Sequence, residues 1–347
     1  GLTIDDLKNF RQMGSKTPGH PEYGHTVGVE TTTGPLGQGI CNAVGFAIAE
    51  AALAEKFNRP GYPVVDHYSY ALCGDGCMME GISSEASSLA GTLGLGKLIV
   101  LYDDNEISIE GDTDIAFRED VGMRYQAYGW QVIRVKDGNS VDEIAQALKS
   151  AKADTKRPSL IIVPTQIGYG CPAKQGKASA HGEPLGADNL QAAKENLGWP
   201  CKGDFEVPQE VYDAMEAFKA EAQGQEEAWN ELFRNYCAAY PELAAEWDAW
   251  FNGQMPDLWN DSEFFSFKGP DATRNSSGIV LNRLAAVLPN LMGGSADLAP
   301  SNKSDIKGGG DFSAENRAGR NLHFGVREHA MAAITNGMAL HGGLHPY

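Results

Sequence analysis

The sequence predicts an α/β fold with a parallel sheet covered by helices on both faces. Two observations carry this. Apolar runs at about 68–73, 98–102, 131–135 and 159–163 alternate with helical patterns at 80–94, 115–128 and 140–152, the alternation that yields βαβ units. Within residues 70–111, one apolar run ends in Gly74-Asp75-Gly76, a small-residue helical pattern follows, and a second run ends in Asp103-Asp104-Asn105. Two successive parallel strands thus deliver a carboxylate and an amide to one sheet edge, where open α/β sheets bind ligands.

The remaining elements follow in order. Residues 1–12 have helical spacing, and 14–33 form a loop of Gly, Pro, His and Thr. Residues 34–57 open on GPLGQG and continue as small and apolar residues, a helix start closely approached by something. Residues 166–189 have no period and are rich in Gly and Lys, a long loop of the functional kind. Residues 208–250 are acidic and helical, with Trp229, Phe233 and Tyr236 read as core. A linker spans 251–270. Beyond it the sequence predicts a helix at 275–287, a strand into Gly293, a loop at 294–320, a strand at 321–324 and a helix at 327–341.

Bulk properties narrow the function. The 347 residues suggest about two domains. A net charge of −18 argues against nonspecific nucleic-acid binding and against adhesion to an anionic membrane. No run of about 18 apolar residues predicts a membrane span, and no signal peptide opens the chain. The six cysteines form no CxxC pair, as expected of a reducing, cytoplasmic compartment, with Cys73 and Cys77 read as packing. Both ends, Gly1 and the stop at Tyr347 just after a glycine turn, read as cut from a longer protein.

Asp75 and Asn105 each offer a hard oxygen suited to Mg²⁺ or Ca²⁺. The third protein ligand is expected to be a backbone carbonyl near Asn105, with Ile107 the natural position. Phosphate and water complete such a shell, and the glycine turn supplies N–H groups for phosphate. These groups make a metal-bridged diphosphate site.

GDG followed by 28 residues and then Asn resembles the thiamine diphosphate fingerprint. GCMMEGISSEASSLAG and YDDNEISIEG are similar to transketolases, as are TPGHPE, GVETTTGPLGQG, HGEPLG, DATR, GGSADLAPSN and HFGVREHAM, in order along the whole chain. The resemblance implies a diphosphate-binding domain (1–250), the linker (251–270) and the beginning of a pyrimidine-binding domain (271–347). It also implies that an early stretch and the C-terminal part of the family's architecture are missing. The implied cofactors are thiamine diphosphate and Mg²⁺, with Ca²⁺ possible. The implied reaction moves a two-carbon ketol unit from a ketose phosphate to an aldose phosphate through a cofactor-bound dihydroxyethyl intermediate. Related thiamine diphosphate enzymes (deoxyxylulose-phosphate or dihydroxyacetone synthases) and a non-catalytic cofactor-binding subunit remain alternatives.

The same resemblance assigns residues. Glu328 is the acid that activates the aminopyrimidine, and burial there would favour its neutral form. His20 and His181 lie near the thiazolium and the sugar. Gly34, Leu36, Gly76, Ile107, Ile167, Asp297 and Glu80 contact the cofactor or support it across a subunit interface. Arg274 and Ser301 bind the substrate's terminal phosphate, a task suited to a guanidinium. The family site lies between two subunits, so a homodimer is implied, with Glu328 acting on cofactor held by its neighbour. One departure is Pro164, where the family more commonly has lysine.

Overall fold

The computed structural model describes residues 1–253 and 255–347. Gln254, in the linker, lies outside the described residues. A short capped helix, α1 (Ile4–Lys8), precedes α2 (Gln38–Phe57). The first sheet is built from β1 (Ser69–Gly74), β2 (Leu98–Asp104), β3 (Gln131–Arg134) and β4 (Ser159–Pro164), all parallel, in the order β1-β2-β4-β3. Between them lie α3 (Asp75–Met79), α4 (Gly81–Leu93), α5 (Val121–Ala127) and α6 (Val141–Ala153).

Both faces of this sheet are covered, as the unbroken apolar runs of β2 and β4 require. Ile99, Ile161, Val135 and Val163 pack on one face against Ala147 and Ala151 of α6. Val100, Tyr102, Leu160 and Ile162 face the larger core with α2 and α4. The helix α6 starts where Ser140 accepts the Glu143 amide, and α4 stops at Gly94 in the left-handed conformation.

The chain continues through α7 (Ala187–Asn196), α8 (Gln209–Ala239), α9 (Pro241–Phe251) and α10 (Thr273–Val287). A second parallel sheet follows, from β5 (Leu291–Ser295), β6 (Asn321–His323) and β7 (His345–Pro346), in the order β6-β5-β7. A one-turn α11 (Ala299–Asn302) leaves β5, and α12 (Glu328–His341) returns to β7.

The two sheets share one core because α2 and α12 cross at glycines. A Cβ on Gly45 would lie 2.3 Å from the Ile334 carbonyl, and one on Gly337 would lie 2.3 Å from that of Asn42. Each helix therefore needs a bare backbone where the other passes. The helix α2 is buried on nearly every side, which explains why its apolar residues show so little one-faced pattern.

Several sequence expectations change in detail. The 1–12 helix is only Ile4–Lys8. The 80–94 helix is preceded by a separate turn, α3, and the chain breaks at the extended Glu80. The 115–128 helix shortens to Val121–Ala127 behind a 3₁₀ turn at Thr113–Ile115, because Asp120 caps at the Met123 amide. The 208–250 stretch is two helices, since Pro241 cannot continue α8 and instead starts α9. Of its three aromatics Tyr236 is fully buried and Phe233 partly so, while Trp229 remains exposed and donates to the Val64 carbonyl. The helices α7 and α11 and the strand β7 were not expected.

Candidate functional site

The register brings the site together. Gly74 of β1 lies beside Asp103 of β2, and Asp103 beside Val163 of β4. Asp75, Asn105 and Thr165 therefore leave three adjacent strands at one edge. Asp75 opens α3 and is 4% exposed. Its Oδ1 accepts the Tyr102 hydroxyl at 2.5 Å and its Oδ2 the Glu106 amide at 3.1 Å. Burial pushes the Asp75 carboxyl above its usual range, and the Asp104 charge adds to this, while the Tyr102 and backbone hydrogen bonds pull it back. Such a carboxylate is short of positive charge, which a divalent cation supplies.

Asn105 is held from both ends. Its Nδ2 donates to Asp103 Oδ2 at 3.1 Å, and its Oδ1 accepts the Ile107 amide at 3.0 Å. Asp103 is in turn pinned by the Thr165 hydroxyl. Glu106, between Asn105 and Ile107, has φ of 58°, an uncommon conformation for a non-glycine residue. The turn aims its amide at Asp75. Ile107 then pairs with Asp112 in an antiparallel bridge flanked by the bonds Thr113 N to Glu106 O and Ser108 N to Gly111 O. That is the wide pair of an antiparallel ladder, so the Ile107 carbonyl points away from Asp112.

The carboxylate, amide and carbonyl oxygens of Asp75, Asn105 and Ile107 are hard donors of the kind that could hold Mg²⁺ or Ca²⁺, with phosphate and water completing the shell. Among the described residues no group of three or more His, Cys, Asp or Glu is placed to hold a metal, so a metal here depends on this mixed set.

A cleft of about 640 Å³ opens at the same edge, lined by Gly74, Asp103, Asn105, Ile167, His181 and Gly182 among others. Leu36 closes over the glycine turn: a Cβ on Gly76 would lie 2.8 Å from Leu36 Cδ1. Gly34 stands in open space beside this segment. The 166–189 loop brings Ile167 and His181 to the cleft and is tied to itself. Gly176 donates to the Ile167 carbonyl at 2.8 Å, and Lys174 to that of Pro184 at 3.1 Å. Pro164 disturbs nothing. Its carbonyl faces the β3 side, where it accepts the Gly138 amide, and β3 ends at Arg134 opposite Ile162. The missing N–H thus falls beyond the last ladder bond on that side.

Of the predicted residues only Asn105, Ile167 and His181 line this cleft; Asp75 lines a neighbouring cavity of about 470 Å³ with Tyr102, Asp104 and Glu106, and the others lie outside both. His20 is exposed in the loop before α2 and does not line the cleft. Glu80 is exposed at the start of α4. Glu328 was expected to be buried; it is exposed, as the first residue of α12, because Ala330 takes the core-facing side of that helix's first turn. Asp297 follows β5 with φ of 65°, a strained backbone of the kind found at functional positions. Arg274 and Ser301 are exposed on the contacting helices α10 and α11.

Sequence reasoning missed Tyr102, the Asp103–Thr165 clamp and Glu85. Glu85 Oε2 accepts the Ala330 amide at 2.9 Å, so a carboxylate from α4 caps the helix that begins at Glu328. The visible signal was a polar tip in an apolar strand for Tyr102, and a lone carboxylate among small residues for Glu85.

Residues 1–256 match the family described as transketolase, thiamine diphosphate binding domain, and residues 270–347 match the transketolase pyrimidine binding domain. The chain belongs to the transketolase family. It is 56% identical to the transketolase of Geobacillus stearothermophilus over 345 residues, 99% of this chain and 52% of that protein. The transketolase structure from Leishmania mexicana superposes with a TM-score of 0.95 at 47% identity, covering 100% of this chain and 52% of that one. Transketolase from Pichia stipitis in complex with sedoheptulose 7-phosphate gives 0.93 at 47% identity, over 99% and 52% of the two chains. The chain thus spans about half the length of the transketolases it matches. The fold of the two transketolase units is the parallel α/β arrangement described above.

Proposed function

We propose that this chain supplies the cofactor-binding part of a transketolase, which transfers a two-carbon ketol unit reversibly from a xylulose 5-phosphate-type ketose to a ribose 5-phosphate-type aldose. The observation that supports this is that Asn105, Ile167 and His181 line one cleft at the sheet edge, beside the Gly74-Asp75-Gly76 turn against which Leu36 packs, in a chain of this family. The division into 1–250, linker 251–270 and 271–347 follows the same reading. The Pichia stipitis relative crystallised with a sugar phosphate supports a phosphorylated sugar as substrate.

Bound thiamine diphosphate supplies an acidic C2–H and an electron sink for the carbanion left when the donor's C2–C3 bond breaks. The chain's residues hold and orient. Asp75, Asn105 and Ile107 hold Mg²⁺, or Ca²⁺ on the same donors, against the diphosphate, with the Gly76 amide donating to it. Leu36, Ile107 and Ile167 form apolar walls, with Gly34 allowing close approach. His181, and His20 from the preceding loop, hydrogen-bond the sugar and assist its proton transfers. Arg274 and Ser301 take the terminal phosphate. Glu328 donates a hydrogen bond to the aminopyrimidine, and Glu80 and Asp297 support it from the interface.

Glu328 is exposed and does not line the cleft of its own chain. This supports a homodimer whose sites are shared, each Glu328 meeting cofactor on its neighbour and becoming buried there. The six free cysteines, three of them buried, support a reducing, cytoplasmic setting. Among the described residues no helix is long and apolar enough to cross a membrane.

The test is ketol transfer by the full-length protein. Xylulose 5-phosphate with ribose 5-phosphate should give sedoheptulose 7-phosphate, and Glu328→Ala should abolish it. Turnover of pyruvate with glyceraldehyde 3-phosphate, or of formaldehyde as acceptor, in place of this reaction would contradict the assignment.

A further inference from the structure

We propose that Thr165 is a positioning residue for the metal site: through the Asp103 carboxylate it fixes which end of the Asn105 amide is free to meet a cation. The inference rests on Asn105 being a metal ligand, as proposed above. Thr165, Asp103 and Asn105 all line the same cleft.

An asparagine binds a hard cation through its oxygen, and the two ends of its amide are alike in shape. What touches each end therefore decides which way it faces. Asn105 Nδ2 donates to Asp103 Oδ2 at 3.1 Å, and Oδ1 accepts the Ile107 amide at 3.0 Å. The oxygen keeps a second lone pair. Turning the amide over would set its NH₂ against the Ile107 N–H and its oxygen against the Asp103 carboxylate. Both contacts would be repulsive.

Asp103 can hold this orientation only if it is held itself. Its other oxygen accepts the Thr165 hydroxyl. Among the described residues both hydrogen bonds of this carboxylate go to neutral side chains, and no backbone amide is spent on it. It does not act as a turn cap, as an aspartate after a strand commonly does. It links a residue of β4's exit to a residue of β2's exit.

The backbone explains why threonine suits this place. Asp104 lies beside Pro164 in the ladder, and the Thr165 amide donates to the Asp104 carbonyl at 3.1 Å, one residue beyond β4. A Cβ built on Gly138 would lie 3.0 Å from Thr165 Cγ2, so the methyl rests against a bare backbone. A β-branched side chain has little freedom at χ1. With the methyl at Gly138, the hydroxyl is turned to Asp103. Thr165 is exposed, so its replacement costs the fold little. Residues that orient a metal ligand in this way commonly change metal affinity by about 10–100-fold.

The test is calorimetric titration of Mg²⁺ into the full-length protein at saturating thiamine diphosphate. Thr165→Val keeps the shape and removes the hydroxyl. It should weaken Mg²⁺ binding by about 10–100-fold and leave the metal-free melting temperature unchanged. Thr165→Ser restores the hydroxyl and should regain most of the affinity. Asp103→Ala should weaken binding as well, and Thr165→Val added to it should change nothing further, because the threonine acts through that carboxylate. No Mg²⁺-dependent binding in wild type would remove the metal site and this inference with it. Three results would overturn this inference alone: wild-type affinity in Thr165→Val, Thr165→Ser as weak as Thr165→Val, or losses in Thr165→Val and Asp103→Ala that simply multiply in the double variant.

Discussion

Tyr102 donates its hydroxyl to Asp75 across 2.5 Å, from the strand next to the one that delivers the carboxylate. The bond fixes one oxygen of a buried acid and offsets part of its desolvation. Tyr102→Phe leaves that oxygen without its donor, at a cost of about 1–3 kcal/mol. The melting temperature without metal should fall. Mg²⁺ affinity in the presence of thiamine diphosphate should weaken by about 10–100-fold, as for other residues that orient a metal ligand.

Asp75→Asn removes the charge of the proposed metal site while keeping its shape. Mg²⁺-dependent binding of thiamine diphosphate, read by calorimetry, should disappear. The metal-free stability should hold or rise, because burial already disfavours the charged carboxyl. Retained Mg²⁺-dependent binding would place the metal elsewhere.

How much of this was visible in the sequence depends on whether a residue acts through its own strand or across strands. Asp75 and Asn105 could be read because each follows an apolar run, and parallel strands of similar length put their ends together. Tyr102 could not be given its role, because the role depends on the β1–β2 register. The burial of Glu328 was expected from its position between a strand and an apolar helix. The core takes Ala330 from the first turn of α12 and leaves Glu328 outside, and no local pattern shows which side of a turn faces the core. The pairing of Gly45 with Gly337 could not be read either, because it requires α2 and α12 to be brought together from opposite ends of the chain.

That crossing predicts a stability effect. Gly337→Ala would place a methyl 2.3 Å from the Asn42 carbonyl, and backbone cannot rotate aside as a side chain does. Destabilisation of about 1–3 kcal/mol or more is expected, measured by urea unfolding. Gly224→Ala, in α8 where an added methyl meets nothing within 4 Å, should instead stabilise by about 0.5–1 kcal/mol.

The junction also carries a pH dependence. His67 and His341 stack 5.0 Å apart with Nε2 atoms 2.9 Å from each other. Burial, and then the neighbouring His341, hold His67 down at about 4, and burial lowers His341 as well. The unfolded chain takes up these protons near pH 6.5, and the folded pair only below that. The contribution is therefore intact above about pH 6.5 and is lost as pH falls toward 4. His67→Gln should flatten the fall in melting temperature between pH 7 and 5. An unchanged slope would exclude the pair as its source.

Glu85 should matter through α12. Glu85→Ala removes the charged acceptor of the Ala330 amide and should cost about 1–2 kcal/mol. Glu85→Gln keeps an acceptor and should cost less than half of that, with both read by thermal unfolding.

The central claim is that the metal-diphosphate edge and Glu328 serve one reaction from two chains. Full-length Asp75→Asn and Glu328→Ala proteins should each be inactive in ketol transfer. Unfolded and refolded together in equal amounts, they should recover about a quarter of wild-type activity, because half of the dimers are mixed and each mixed dimer has one intact site. No recovery, with mixed dimers shown to form, would put both residues in the same chain's site and contradict the account.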